Sequence, residues 1–355
     1  MDLKARLKAY AAALGFDLVG VAAAGPTPAA DRYAEWVREG RAATMHYLTR
    51  PDAVEKRRDV RNLWPAARSV IVVAVNYDAG DPPAPDAEPS GRVARYAWGE
   101  DYHEVIAERL RALLAFLNRE AGRPVEGRIY VDTGPVLERA WAVQAGLGWI
   151  GRNSMLIHPR LGSWLLLGVL LVDLALEPDE PFRFDHCGTC TRCLEACPTQ
   201  CIRPDRTLDA ERCLSYLTIE RREGIPEDLR PALGDWIFGC DICQEVCPWN
   251  RRFARPTADP AFQPRPGIPR LSLEAVLRMD EAAFRARFRR SAIRRAKWRG
   301  LVRNALIVAG NLRAEKVRPL LEAWRAHPDP MLREHAAWAL RAMEGRSPGD
   351  PAGVA

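Results

Sequence analysis

The hydrophobic pattern changes character along the chain. "RSVIVVAVNY" (Arg68 to Tyr77) is a near-continuous apolar run rich in β-branched residues, and it predicts a buried strand. From Tyr102 to about Gly122 the apolar residues Val105, Ile106, Leu110, Leu113, Leu114 and Leu117 recur at helical spacing, which predicts an amphipathic helix. The opening "MDLKARLKAYAAALGFDLVGVA" reads as an amphipathic helix and a short strand, so residues 1–80 are expected to hold two helices and two strands. "DAGDPPAPDAEPSG" (Asp78 to Gly91) is a loop by its prolines and aspartates. "GRIYVDTGPVLERAWAVQAGLGWIGRNS" predicts strand, turn, helix and glycine-rich loop, and "SWLLLGVLLVDLAL" one or two further strands. This half reads as a mixed α/β domain.

The second half reads differently. Residues 254–270 are proline-rich and predict a linker. From about residue 272 the pattern is helical, with "RGLVRNALIVAGNL", "VRPLLEAWRAH" and "PMLREHAAWALRAM" as consecutive short amphipathic segments. Their spacing resembles HEAT-type repeats, with room for one or two units. The tail "GRSPGDPAGVA" is expected to be disordered.

Composition changes this picture in two ways. The net charge of +6 permits an anionic partner without requiring one. No secretory cleavage site is visible, and the longest apolar run, Trp164 to Val172, is too short to cross a bilayer. A cytoplasmic protein is expected, where disulfides are disfavoured. Nine cysteines then call for metal.

Their spacing is specific. Cys187-x2-Cys190-x2-Cys193-x3-Cys197-Pro198 has the spacing of bacterial ferredoxins, in which the fourth cysteine ligates the other cluster. Cys240-x2-Cys243-x3-Cys247-Pro248 repeats the last three positions, with Ile237 where the first would stand. Cys213, between the runs, is the substitute thiolate. One [4Fe–4S] cluster then takes Cys187, Cys190, Cys193 and Cys247; the other takes Cys240, Cys243, Cys213 and Cys197. Cys201 is left over as a small structural residue. Zinc also accepts Cys-x2-Cys, but has no need of the whole pattern twice.

With these residues in place the chain resembles the epoxyqueuosine reductases, cobalamin-dependent enzymes of the last step of queuosine synthesis in tRNA. The resemblance rests on "EKRRDV", "ARYAWGEDYH", "VDTGPVLERAWAVQAGLGWIGRNSMLIHPRLGSW", "CGTCTRCLEACPTQCI", "RCLSYLTIE" and "IFGCDICQEVCPWN". It implies an α+β protein. Residues 1–180 would be a cobalamin-binding catalytic domain similar to that of reductive dehalogenases, and 181–253 a ferredoxin-like domain with two [4Fe–4S] clusters. The linker 254–270 would lead to HEAT-like helical repeats at 271–345 that bind tRNA, with a tail at 346–355. The implied reaction reduces epoxyqueuosine at the wobble position, with electrons passing through the clusters to cobalamin from an external donor. The implied form is a monomer.

The resemblance also assigns residues. Asp132 matches the proton donor. It stands at the C-terminal end of a predicted strand, where an acid holding a proton at neutral pH needs a raised pKa; it could equally cap the helix that follows. Arg57 matches a cofactor contact and Tyr96 a residue near the corrin. Asn153, Ser154, His158 and Ser163 lie on the loop expected to cradle the corrin edge. His158 is not expected to ligate cobalt, because the family leaves that face without a protein ligand. Glu100, Arg152 and Cys201 depart from the common family residues; none of these departures falls on Asp132 or on the eight cluster cysteines.

From Arg285 to Arg303 the chain carries nine basic residues and no acid. Arg285, Arg287, Arg289, Arg290, Arg294, Arg295, Lys297 and Arg299 are the candidate tRNA contacts, since charge of this density suits a phosphate backbone. The interleaved Phe284, Phe288 and Trp298 are expected mainly in the helical core. Two other readings compete. A reductive dehalogenase-like enzyme acting on a small molecule would share the cofactors but leave the basic helices without a purpose. A ferredoxin-like carrier would need only the cysteine region.

Overall fold

The computed structural model describes residues 2–81 and 88–345. Among them are nine strands: β1 (Leu18–Ala23), β2 (Ser69–Asn76), β3 (Ser90–Val93), β4 (Gly127–Tyr130), β5 (Trp149–Ile150), β6 (Leu156–Ile157), β7 (Leu165–Val172), β8 (Trp236–Phe238) and β9 (Arg270–Ser272). The chain gathers into two compact units. The first comprises Met1–Gly80, Glu100–Ala210 and Ile242–Gln263, and the second Asp81–Gly99, Glu211–Asp241 and Pro264–Ala355. Pairing in space, not order along the chain, draws this division. β3 pairs parallel to β8 and antiparallel to β9, so three distant stretches close one small sheet.

The first unit is built on a four-stranded sheet of order β1-β2-β7-β4. Every pairing in it is antiparallel. β2 is central and runs in register with β7 from Ser69 opposite Val172 to Asn76 opposite Leu165. All eight residues of β2 are buried because helices cover both faces of the sheet. The helix Tyr102–Glu120 packs on one face, and Gly168 makes room for it: a Cβ there would come within 2.6 Å of Ile106 Cγ2. The helix Glu138–Gln144 covers the other face, where Trp141, Ala142 and Ala145 share a core with Val70, Val72, Ala74, Val169 and Leu171. This approach is close enough that a side chain at Gly20 would strike the Ala145 carbonyl oxygen at 2.1 Å.

Local signals explain where the elements differ from expectation. The first 80 residues hold five helices, not two. After Ala30–Arg38 the helical stretch breaks into His46–Thr49, Pro51–Arg58 and Val60–Leu63. Pro51 opens one of these, and the Asp59 carboxylate caps the next by accepting from Arg61 N at 2.8 Å. Asp101 caps the Tyr102–Glu120 helix in the same way through His103 N. The apolar stretch after Trp164 is the single strand β7. Residues 82–87 of the proline-rich loop and the tail 346–355 lie outside the described residues.

The expected linker carries a 3-10 turn, Pro260–Phe262, and the first residue of β9. Its first half is fastened to the first unit. The Arg255 carbonyl accepts from Asn76 Nδ2 at 2.7 Å, and Asp259 pairs with Arg109 at 2.7 Å.

In the second unit the helix Lys297–Asn311 is buried from Gly300 to Gly310. It packs against Pro330–Met343, and Gly310 permits the approach, since a Cβ there would sit 2.9 Å from Ala339 Cα. Arg303 is wholly buried in this helix and donates to the carbonyls of Leu217, Arg221 and Glu223. Burial, with Arg221 and Arg222 nearby, pulls its guanidinium down to about 9. Among the described residues no helix is long and apolar enough to cross a membrane.

Candidate active site and iron–sulfur centre

β4 ends at Tyr130, and the chain turns sharply through Thr133 N donating to Val131 O at 2.6 Å. Asp132 takes the left-handed conformation, φ +59°, which aspartate tolerates better than most residues. The turn pushes its side chain outward, and 63% of it stays open to solvent. Behind it, elements from both ends of the domain converge. Tyr102 Oη donates to Asp132 Oδ2 at 2.8 Å, and His103 Nε2 lies 3.5 Å from the same oxygen. His103 Nδ1 is held at 2.7 Å by Asp101. The Asp132 amide donates to Glu138 Oε1 at 2.6 Å. The two helices that sandwich the sheet therefore begin at this turn.

The electrostatics set the proton inventory. Burial works against charge on His103, but the carboxylates of Asp101 and Asp132 overcome it and raise the imidazole to about 9. Burial and the Asp132 charge raise the Glu138 carboxyl to about 8. Burial also acts to raise Asp132, but the hydrogen bonds from His103 and Tyr102 outweigh it and hold its pKa below the ordinary value. The sequence argument required a raised pKa at Asp132 itself. The structure places the neutral-pH protons on the two neighbours and leaves Asp132 as an exposed carboxylate between them. The sheet is antiparallel and β4 is its edge, so the strand-end rule for parallel sheets does not explain this site. It is made by two helix N-termini and one turn.

The residues assigned to the corrin are placed as follows. Arg57 is buried, donates to Ala53 O at 3.1 Å and Gly134 O at 3.5 Å, and stacks over Tyr33. It braces the Asp132 turn from behind. Asn153 donates to Cys243 O at 3.4 Å, and Ser154 Oγ donates to Arg206 O at 2.5 Å. Ser154 also has positive φ, +63°, and its carbonyl accepts from Arg139. His158 Nδ1 accepts from Arg160 N at 3.2 Å, and burial pulls the imidazole down to about 4. Ser163 Oγ accepts from Asn250 Nδ2 at 2.9 Å and Gln244 Nε2 at 3.1 Å. These side chains build a stiff loop. Tyr96 lies in the second unit, tilted against Phe238 at 6.0 Å.

Four of the cysteines come together. Cys187, Cys190, Cys193 and Cys247 line one cavity of about 150 Å³, walled on other sides by Ile157 and Trp249. Burial and the three neighbouring thiols push Cys193 up to about 11. Trp149 Nε1 donates to Cys187 Sγ at 3.5 Å. Among the described residues no three His, Cys, Asp or Glu groups gather as a set for one metal ion. The four sulfurs instead ring a space, and a cavity walled by thiolates fits a cubane. Cys197 and Cys243 lie in the same unit, and Cys213 and Cys240 in the other. The buried Cys201 sits with its sulfur 3.5 Å from that of Cys197.

In the basic stretch Phe284, Phe288 and Ile293 are buried, and Trp298 donates to Met279 O at 2.6 Å. Arg285, Arg289, Arg290, Arg294, Arg295 and Lys297 are exposed, while Arg287 and Arg299 are half-buried. Arg285 pairs with Glu281, Arg295 with Glu220 and Arg299 with Asp329.

Asp101, Tyr102, His103 and Glu138 were not singled out from the sequence as partners of Asp132. The only signal for them was an acid-capped helix start, which reads as ordinary capping.

Residues 57–133 match the family described as "Epoxyqueuosine reductase QueG, DUF1730", and residues 186–250 match the "4Fe-4S double cluster binding domain". An exposed carboxylate backed by proton carriers and, in the same unit, a cysteine-ringed cavity mark an iron–sulfur oxidoreductase. The chain belongs to the epoxyqueuosine reductase family. It is 45% identical over 283 residues to the epoxyqueuosine reductase of Synechocystis sp., covering 78% of this chain and 94% of that one. Among solved structures it matches an epoxyqueuosine reductase bound to an epoxyqueuosine-modified stem loop of tyrosine tRNA (TM-score 0.89, 32% identity, 96% of this chain and 90% of that). It also matches the Bacillus subtilis enzyme with its catalytic aspartate loop swung out of the active site (TM-score 0.88, 31% identity, the same coverage).

Proposed function

We propose that this protein reduces epoxyqueuosine to queuosine at the wobble position of tRNA, with Asp132 as the proton donor. The observation that carries the reading is the exposed Asp132 carboxylate held between two proton-bearing groups. Opening the epoxide to the alkene and releasing its oxygen as water takes two electrons and two protons. Asp132 passes a proton to the leaving oxygen, and His103 at 3.5 Å restores it. Substrate seated over the turn strips water from Asp132 and raises its pKa toward that task.

One cluster is held by Cys187, Cys190, Cys193 and Cys247, and the other by Cys197, Cys213, Cys240 and Cys243. Cobalamin, when bound, supplies a low-valent cobalt that delivers electrons to the epoxide carbon. The chain's residues fit a corrin held by shape and backbone groups. Asn153, Ser154, His158 and Ser163, each with a polar atom engaged inside the protein, would shape the loop along the corrin edge. Arg57 would hold the Asp132 turn from behind, and Tyr96 would be a residue near the corrin. The helices of 271–345 form a HEAT-like platform for tRNA. On it the exposed Arg289, Arg290, Arg294 and Lys297 meet phosphates, joined by Arg285, Arg287, Arg295 and Arg299.

The test is direct. Anaerobically reconstituted protein with cobalamin and a strong reductant is incubated with tRNA carrying epoxyqueuosine, and digested nucleosides are read by mass spectrometry. Loss of one oxygen is expected. Unchanged tRNA with corrinoid bound and both clusters reduced would defeat the substrate assignment.

A pH dependence follows from the same site. His103 and Glu138 are raised above their unfolded values of 6.5 and 4.5, to about 9 and about 8. The folded state therefore binds more protons than the unfolded state in that window. Their contribution to stability is present at low pH and is lost as pH rises through 8 and 9. Turnover is expected to fall over the same range, and His103→Gln to move the alkaline limb; a limb unmoved in that variant would remove His103 from the relay.

A further inference from the structure

An unexplained group of aromatic rings surrounds the cavity of Cys187, Cys190, Cys193 and Cys247. Phe184 is 70% exposed, the most exposed large apolar side chain among the described residues. Its ring stacks on His186 at 6.1 Å, and His186 meets the edge of Trp149 at 5.0 Å. Trp149 Nε1 in turn reaches Cys187 Sγ at 3.5 Å. A second branch runs from His186 to Trp249 at 5.6 Å and on to Phe253 at 5.1 Å. Trp249 and His186 both line the cavity. An apolar ring open to water thus connects by ring contacts to a sulfur of the first cluster.

At the Phe253 end of this group the flanking charge is basic, with the Arg252 guanidinium 5.2 Å from the Phe253 ring. The stretch from Val246 to Ala258 carries Arg251, Arg252 and Arg255 and no acid. All three are exposed, and none has a carboxylate partner among the described residues. The acids near Phe184 in the chain are engaged: Asp185 pairs with Arg206 and Glu180 with Arg183, and Glu195 accepts from Thr191. An exposed aromatic with an unpaired arginine edge is a docking face for a negatively charged protein.

We infer that this face docks the acidic one-electron carrier protein that reduces the first cluster, through the exposed Phe184 ring at one end of the aromatic group and the exposed Arg251 and Arg252 beside Phe253 at the other. The inference rests on the cluster assignment of the proposed function. Each encounter oxidises the carrier by one electron and reduces the cluster by one, so two encounters supply one turnover. Electron-transfer complexes bury little surface, so docking needs no large apolar face. RNA could also meet arginines and an aromatic ring, but it gains nothing from a ring path ending on a cluster sulfur.

The test uses reconstituted full-length protein and reduced flavodoxin, an acidic flavin carrier. Cluster reduction is followed by stopped-flow absorbance in wild type, Phe184→Ser and the double variant Arg251→Glu/Arg252→Glu. Photoreduced deazariboflavin, a small neutral donor, serves as the control. The double variant is expected to slow reduction by flavodoxin about tenfold and to flatten its dependence on salt, with the control rate unchanged. Phe184→Ser is expected to slow it without altering the salt dependence. Unchanged flavodoxin rates in both variants overturn the proposal, as does an equal loss with the small donor. So does a loss confined to tRNA stem-loop affinity, which would assign the face to RNA. Iron analysis keeps the two readings apart, since wild type without clusters fails the cluster assignment before docking is tested.

Discussion

Asp132→Asn is expected to bind tRNA and keep both clusters while losing turnover by about a thousand-fold, the size of effect a positioned general acid supplies. Asparagine can occupy the turn, since it tolerates positive φ as aspartate does. Its amide also accepts from Tyr102 through its oxygen, so the geometry survives. What it lacks is a carboxylate that can take up a proton from His103 and pass it on. Nucleoside mass spectrometry gives the rate, and cluster spectra give the integrity of the electron path. Turnover within tenfold of wild type would remove Asp132 from the proton path and turn attention to Glu138, the other carboxyl at the turn.

Cys193→Ala is expected to remove the first cluster and stop turnover. Cys193 is crowded by Cys187, Cys190 and Cys247 around one cavity. Three thiolates cannot complete the four-cysteine set of a cubane. Iron content should fall from about eight to about four atoms per chain, the two-cluster count less one. The signal of the other cluster should persist in the electron paramagnetic resonance spectrum. Cys201→Ala is the matched control, with full iron expected because Cys201 belongs to neither set. Full iron in Cys193→Ala, or half in Cys201→Ala, would redraw the ligand assignment.

Legibility followed sequence distance. The continuous apolar run of β2 and the helical spacing after Tyr102 were readable because burial periodicity is a local property. So was the grouping of Cys187, Cys190 and Cys193, which lie within one short segment, and ferredoxin spacing extended it to Cys247. The aromatic group of Phe184, His186, Trp149 and Trp249 was not readable. Its members are scattered over about a hundred residues, and each alone passes for core. The basic stretch was readable as charge, yet the sequence could not separate Arg303, whose guanidinium serves three buried carbonyls, from its exposed neighbours.

The sequence by itself determined the strand β2, the helix after Tyr102, the grouping of Cys187, Cys190 and Cys193 and the aspartate at the end of a strand, because each is written in adjacent residues. Only the tertiary structure decided the rest. It made the sheet antiparallel, joined β3 to β8 and β9, and set the proton inventory of the site. Asp132 is held as a carboxylate, with His103 and Glu138 carrying the protons, because two helices from either side of the sheet start at one turn. Their charges settle against one another only once they are within hydrogen-bond reach, and no spacing along the chain encodes that distance.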